Sequence, residues 1–279
     1  MTVCALISCM FQDKSIIERT RVQTNVVVIN QCDKDETEEY DFTNNMGKVC
    51  HVKFISTRER GLSRSRNMAI GNCADDICII CDDDEELADG YEQHVQEGYK
   101  KYPNASVVTY KIEREYSNNR NYPPLLSGVR HNLVSILKTN SLEITFKRKD
   151  ILSKGISFDE MMGSGTGNGG GEEEKFLMDI HRSGLYLYFY PNTIATVHKG
   201  ESQWFKGFDT TYFYNKAWSA RRILGGPTSV VYLGYFVLSH YKLFKSDISF
   251  ISLMGALVKG WFSKRYGNEE KVKSSSSMC

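Results

Sequence analysis

Apolar residues in the first third of the chain come in short bursts separated by polar stretches. Thr2–Ser8, Asn25–Ile29, Val49–Ile55, Asp76–Cys81 and Ala105–Tyr110 are each of strand length, and Asp76–Cys81 is nearly continuous in apolar character. Strands apolar on both faces belong in the middle of a parallel sheet covered by helices on either side. Between the third and fourth bursts, Gly61 to Asn72 reads as a helix with Leu62, Ala69 and Ile70 as its apolar positions. Strand–helix alternation of this kind predicts an α/β class, a Rossmann-like and mostly parallel sheet flanked by helices. The middle of the chain differs. Tyr116–Pro124 is a polar crossing rich in Asn and Pro, followed by strand segments at Ile144–Lys147 and Leu185–Tyr190. A third segment, Ile194–His198, follows a Pro191-Asn192 turn. From about Lys206 the pattern is longer, aromatic and helical, which predicts a C-terminal helical extension.

Charge removes one class of function. Thirty-five Lys and Arg against thirty-four Asp and Glu leave a formal net charge of +1. A chain this neutral has no global field to hold nucleic acid, so any anion it binds must meet a local site. Its eight cysteines lie mostly within the apolar runs, and Met1–Ile7 lacks the basic and long apolar regions of a signal peptide. Reduced, buried thiols in a cytoplasmic protein are expected. Cys78 and Cys81 form a CxxC, but three residues apart on a strand they point to opposite faces. With no second CxxC or His pair to complete four ligands, no zinc site is expected.

Ligands of an open parallel sheet bind outside the carboxyl ends of its strands, so the polar residues that terminate each apolar run carry the candidate chemistry. The run ending at Ile29 leads to Asp33. The run ending at Cys81 leads into Asp82-Asp83-Asp84-Glu85-Glu86, five carboxylates in a row. Held close together they would repel, and a hard cation, Mg²⁺ or Mn²⁺, resolves this with one or two carboxylates and phosphate oxygens. Just upstream, Arg64 and Arg66 lie near a helix start, where a diphosphate would be neutralised from both sides. Gly165, Gly167 and Gly170 satisfy GxGxxG, but no strand precedes them, and Glu172-Glu173-Glu174 fill the helical turn where phosphates would lie. That segment reads instead as a flexible lid delivering a carboxylate, a general base for a sugar hydroxyl. His198, at the tip of an apolar run, is a candidate to complete an oxygen-rich metal shell.

In order and spacing these features resemble a bacterial family-two-type glycosyltransferase with the GT-A fold, over roughly residues 1–205. Arg66-Asn67 resembles the family's helix start lining the nucleotide pocket. Asp82 and Asp84 match its DxD motif, so the resemblance implies metal ligation by Asp82, Asp84 and His198 and donor contacts by Asp82 and Asp83. Asp33 resembles the acid that reads the nucleotide base. Gly171-Glu172-Glu173 matches the family's Gly-Glu-Asp, whose last acid is the base in inverting members, so Glu173 inherits that role with Glu172 and Glu174 as alternatives. Val197-His198 with Ser202 and Trp204 resembles the late block whose His lies near metal or diphosphate. Two departures stand out: Ser8-Cys9-Met10-Phe11-Gln12 replaces the usual Pro-x-Tyr-Asn, and Glu replaces Asp at 173.

The resemblance implies a metal-dependent inverting hexosyltransferase moving a sugar from a nucleoside-diphosphate donor, UDP foremost. The acceptor would be a glycan or a lipid-linked saccharide in surface polysaccharide synthesis, capsule or exopolysaccharide. Residues 1–115 would bind the nucleotide sugar, 116–205 the acceptor and the catalytic acid, and 206–279 would form the helical extension. Residues 223–241 carry no Asp, Glu, Lys or Arg but contain Gly225-Gly226-Pro227, which argues against a spanning helix. Leu257–Arg265 mixes aromatics and bases, as an interfacial helix on the inner face of an anionic membrane would, or as one packed on the catalytic domain. Two rivals remain, a sugar nucleotidyltransferase and a non-catalytic glycan-assembly subunit. The first should carry a basic, glycine-rich loop after its first strand, where Cys9–Asp13 is neither.

Overall fold

The computed structural model describes residues 1–114, 129–198 and 207–264. The expected Asn/Pro-rich crossing at 116–124, Ser202, Trp204 and Cys279 lie outside them. In chain order the elements are β1 (Val3–Met10), α1 (Ile16–Arg19), β2 (Asn25–Gln31), β3 (Glu36–Thr43), β4 (Val49–Thr57), α2 (Leu62–Asn72) and β5 (Ile77–Asp82). They continue with β6 (Glu85–Leu87), α3 (Tyr91–Lys101), β7 (Ala105–Arg114), α4 (Leu133–Ile136), a 3₁₀ turn (Ser141–Glu143), β8 (Ile144–Lys147) and α5 (Arg148–Ser153). Last come α6 (Glu172–Arg182), β9 (Tyr186–Val197), α7 (Thr210–Leu224), α8 (Gly226–Phe244) and α9 (Phe250–Phe262).

The nine strands form one sheet in the order β3-β4-β2-β1-β5-β8-β7-β9-β6. The consecutive strands β4, β2, β1 and β5 run parallel, and β2, β1 and β5 are apolar on both faces as the interior of such a sheet requires. One face packs against α1 and α3 through Ile16, Ile17, Tyr91, Val95 and Tyr99. The other packs against α2, α5 and α6 through Ala69, Ile70, Ile151, Phe176 and Leu177. This is the predicted mostly parallel α/β sheet, made mixed by the antiparallel strands β3, β8 and β6.

Several elements differ from the sequence reading. β3 is an edge strand of alternating exposed and half-buried residues, too polar to read as a strand, and it pairs antiparallel with β4. α3 was not anticipated at all. The two segments expected on either side of Pro191-Asn192 are a single strand, β9, in which the proline is accommodated opposite register shifts against β7. A bulge lets the chain pass a residue that cannot donate to the ladder.

The C-terminal extension is helical, as expected, and it is docked. Asp209 caps α7 by accepting the Tyr212 N–H at 2.7 Å. Gly225, at φ +81°, ends α7, and Pro227 sits in the first turn of α8. Trp218, Ile223 and Leu224 join the sheet's core, while Phe213 and Ala217 on the same helix belong to a second core with α8 and α9. Fully burying residues the size of Ile223 and Leu224 stabilises by roughly 1.5–3 kcal/mol each. No helix among the described residues is long and apolar enough to cross a membrane. The cysteines at 4, 9, 32, 50, 73, 78 and 81 are all buried and unbridged.

Candidate active site

β5 stops at Asp82, where the apolar run Ile77–Cys81 gives out, and the chain turns through Asp83 and Asp84 into β6. Glu85 of β6 pairs with Val197 of β9. Three residues of chain span at most about 11 Å, so this pairing brings His198, more than a hundred residues downstream, beside the acidic turn. His198 Nε2 lies 3.2 Å from Glu86 Oε2.

Arg66 is the hub of the opposite wall. Its helix, α2, is fixed to the sheet by Ser65 Oγ against Ser8 Oγ at 2.9 Å, and entered through Gly61, whose N–H donates to Gln31 Oε1 at 2.7 Å. Gly61 has φ +123°, a backbone region side chains rarely adopt. The Arg66 guanidinium is 2% exposed and lies 5.4 Å from the centroid of the Phe158 ring. Its Nη1 donates to Glu173 Oε1 at 2.8 Å and lies 3.7 Å from Glu172 Oε1, and its Nη2 donates to Asp82 Oδ1 at 3.2 Å. Ser141 Oγ donates to the other Asp82 oxygen at 3.2 Å. Burial works against the Arg66 charge, but Glu173, Asp82 and Glu172 outweigh it and hold its pKa above the ordinary value. Glu173 and Asp82, expected at opposite ends of the chemistry, are therefore joined through one guanidinium.

Glu172 is set deeper than Glu173. Its carboxyl fills the space left by Gly163, where an added Cβ would stand 2.8 Å from Glu172 Cδ. Burial, then Glu173 alongside, pushes Glu172 up to about 8 from an ordinary 4.5. The folded chain thus holds this proton more tightly than the unfolded chain. The associated stability is fully present below about pH 4.5 and is lost as pH rises through about 8. Glu172→Gln is expected to flatten the fall in melting temperature across that window, which is worth up to ~1.4 kcal/mol per pH unit. A variant whose melting profile parallels the parent's from pH 5 to 8 would show that another group titrates there.

Several expected residues take different partners. Arg64 and Arg66 were expected to flank a diphosphate, but Arg64 lies 3.2 Å from Glu160, and Arg66 is buried among carboxylates. The Leu62 N–H at the start of α2 is taken by Ser164 O at 3.0 Å. Asn67 donates to Phe158 O at 2.9 Å and accepts the Phe158 N–H at 2.8 Å, so its amide braces the 158 segment. The glycine-rich segment expected as a flexible lid is knitted on both sides, Ser63 Oγ donating to Met162 O and Ser219 Oγ to Gly170 O. Asp33 Oδ1 is 2.8 Å from Arg60 Nη2. The Arg60 guanidinium also faces the Phe11 ring at 5.6 Å, and that ring is 61% exposed on a left-handed backbone kink. Phe11 and Arg60 were not singled out from sequence. An aromatic at a strand end next to an acid and an arginine was the available signal.

The acidic cluster fits a hard divalent cation. Asp82, Glu172 and Glu173 surround Arg66, and Asp83, Asp84 and Glu85 follow Asp82 directly in the chain. Burial, then neighbouring carboxylates, raises Asp83 and Asp84. Glu85 is 2% exposed, and neither of its oxygens has a hydrogen-bond partner in good geometry, with the weakly donating Cys81 thiol and the Asp82 backbone N–H beside it. Asp82, Asp84 and His198 do not converge as a ready-made cage: among the described residues only Cys4, Cys73 and Asp75 bring three ligand atoms within 4.8 Å of one another. That arrangement suits an ion that takes one or two carboxylates and completes its shell with phosphate oxygens.

The family model described as Glycosyl transferase family 2 matches residues 14–164, over half of the chain. The chain belongs to glycosyl transferase family 2. It is a glycosyltransferase, and the nucleotidyltransferase alternative falls with that assignment. The family match covers Asp33, Arg66, Asp82 and Asp84 and stops short of Glu173 and His198. Among solved structures the fold is similar to S. aureus TarS 1–349, with a TM-score of 0.61 at 12% identity, covering 94% of this chain and 81% of that one. The same protein in complex with UDP-GlcNAc gives 0.63 at 16% identity, covering 93% and 80%, and in complex with UDP 0.59 at 12%, covering 93% and 81%. At such identity the likeness carries the GT-A fold alone. No curated protein matches the sequence significantly.

Proposed function

We propose that this glycosyltransferase moves a sugar from a UDP-sugar to a glycan or lipid-linked acceptor with inversion at the anomeric carbon. The observation that carries this reading is the joining of the acidic end of β5 to Glu173 through buried Arg66. Residues 1–115 serve the donor and 116–205 the acceptor. Phe11, Asp33 and Arg60 form a corner suited to a nucleobase, with the ring to stack on and the acid to accept an N–H. Asp83 faces the donor, while Arg66 and Asn67 position the walls. Bound at Asp84, with Asp82 and His198 beside it, Mn²⁺ or Mg²⁺ would stabilise charge on the departing diphosphate. Glu173 removes the acceptor hydroxyl proton, the oxygen attacks the anomeric carbon, and the bond to the nucleoside diphosphate breaks with its electron pair leaving. Support for Glu173 over Glu172 is its greater exposure, 16% against 7% for the side chains, and the proton that burial keeps on Glu172. Arg66 engages one oxygen of Glu173 and orients the carboxylate.

The donor half is tested by thermal shift with a panel of nucleoside diphosphates, with and without Mn²⁺. At a hundredfold excess over its dissociation constant the right ligand stabilises by about 2.7 kcal/mol. A Mn²⁺-dependent shift with UDP that disappears in Asp84→Asn is expected. No metal-dependent shift with any nucleotide would sink the metal-dependent donor site.

The acceptor half draws on the extension. Val231, Tyr235 and Leu238 form an exposed apolar stripe on α8, and Ile251, Val258 and Phe262 another on α9. The opposite side of α9 packs tightly: a Cβ on Gly260 would stand 2.1 Å from Tyr214 O. So α9 is both a packed helix and an apolar surface. A cytoplasmic enzyme resting these stripes on the inner membrane face would meet lipid-linked acceptors there. Co-sedimentation with anionic vesicles, lost in Leu238→Glu/Ile251→Glu, is the expected result; equal binding by that variant would count against the contact.

A further inference from the structure

A second constellation lies at the opposite end of the strands from the acidic cleft. Cys4 and Cys78 sit one residue inside the starts of β1 and β5 and are partners in the parallel ladder. Along the same ladder Ser8 faces Asp82, four residues on, or roughly 13 Å away. Both thiols face the layer that holds α2. Cys73 follows the last turn of α2, and Asp75 lies in the connection to β5. Cys73 Sγ is 3.7 Å from Cys78 Sγ. One ligand atom each from Cys4, Cys73 and Asp75 lies within 4.8 Å of the other two, and Cys78 adjoins this group through Cys73 without lying that close to all three.

The Cys73–Cys78 separation is the one a shared metal would set, and the other ligand atoms are near enough to close on it. A tetrahedral Zn²⁺ with Zn–S bonds of about 2.3 Å places its sulfurs roughly 3.8 Å apart, whereas a disulfide needs about 2.0 Å. The surroundings hold the ligands in place. Asn25 Nδ2 reaches the two Asp75 oxygens at 3.1 and 3.3 Å, and the Asp75 N–H points at Cys73 sulfur. The Arg148 guanidinium, tied to Ile70 O at 2.9 Å, offsets part of the negative charge that three thiolates and a carboxylate would leave. Such outer partners orient ligands and tune a site.

We propose that Cys4, Cys73, Cys78 and Asp75 bind a structural zinc ion that pins β1, α2 and β5 together at the amino end of the sheet. All four positions are protein ligands, so the site is closed and takes no part in transfer. The CxxC in the sequence misdirects here. Cys78 and Cys81 face opposite sides of the sheet, and the partners of Cys78 come from another strand and a helix end.

The test is zinc content of the full chain purified without chelator from zinc-supplemented cells. About one zinc per chain is expected. Cys73→Ser and Cys78→Ser should each lose most of it, while Cys81→Ser, on the same strand but the other face, should retain it. Should the serine variants fold poorly, the parent chain still decides: reconstituted with Co²⁺ it should show thiolate-to-cobalt charge transfer and the intense visible bands of a tetrahedral site. Absence of zinc together with absence of those bands would overturn the proposal. So would zinc retained by both Cys73→Ser and Cys78→Ser, or a mass two hydrogens short that maps a disulfide among the three thiols. None of these outcomes depends on donor binding at the acidic cleft.

Discussion

Glu173→Gln lowers sugar transfer by about 10²–10⁴-fold, the range a positioned general base supplies, while donor affinity stays within about twofold. The loss should appear in kcat under single turnover and leave the donor-induced thermal shift in place. Gln keeps an oxygen for Arg66 Nη1, which now donates to Glu173 Oε1 at 2.8 Å, so the wall survives the change. What is lost is the ability to take a proton from the acceptor. Glu174→Gln, one residue on, serves as the comparison and should lose far less. Full activity in Glu173→Gln would remove the base from this position. Unaltered polysaccharide in cells carrying the variant would revive the non-catalytic reading.

Arg66→Met is expected to cost about 3–5 kcal/mol of stability, the scale for removing one partner from a buried ionic cluster. The substitution nearly conserves volume, so cavity formation contributes little. The cost comes from leaving Asp82, Glu172 and Glu173 packed together without their shared cation. For a chain of this size that is a fall in melting temperature of roughly 10 °C. Acid should narrow the gap, because protonated carboxyls no longer need the guanidinium. Arg66→Lys should fall between, since one ammonium cannot span carboxylates on either side. A melting temperature within about 2 °C of the parent at neutral pH would show that the cluster does not depend on Arg66.

The fold class was legible because burial on both faces of a strand leaves an unmistakable run of apolar residues. Asn25–Ile29 and Asp76–Cys81 could hardly be anything but interior strands. β3 was invisible for the complementary reason. It is an edge strand whose Glu36, Glu39 and Asp41 face solvent, and its pairing with β4 is backbone hydrogen bonding that composition does not record. Asp82–Glu86 and Glu172–Glu174 announced themselves as runs of like charge that need a cation. Their partners did not, because ion pairs form between residues far apart in the chain. Arg66 looked like a phosphate ligand from its place at a helix start, and only the packing of α2 on β1 and β2 turned it toward three carboxylates, carried by β5 and α6.

The sequence alone determined which residues lie inside the sheet, where the strands end, and so which acids stand at its carboxyl edge. Those follow from local rules, the period of burial and the chemistry of the residue at each strand's end. Tertiary structure alone decided which of these residues meet: Glu173 with Asp82 through Arg66, His198 with Glu86, and Cys4 and Cys78 with Cys73 and Asp75. Such meetings depend on strand order and on the reach of helices across the sheet, quantities set by the global packing minimum and written at no single position of the chain.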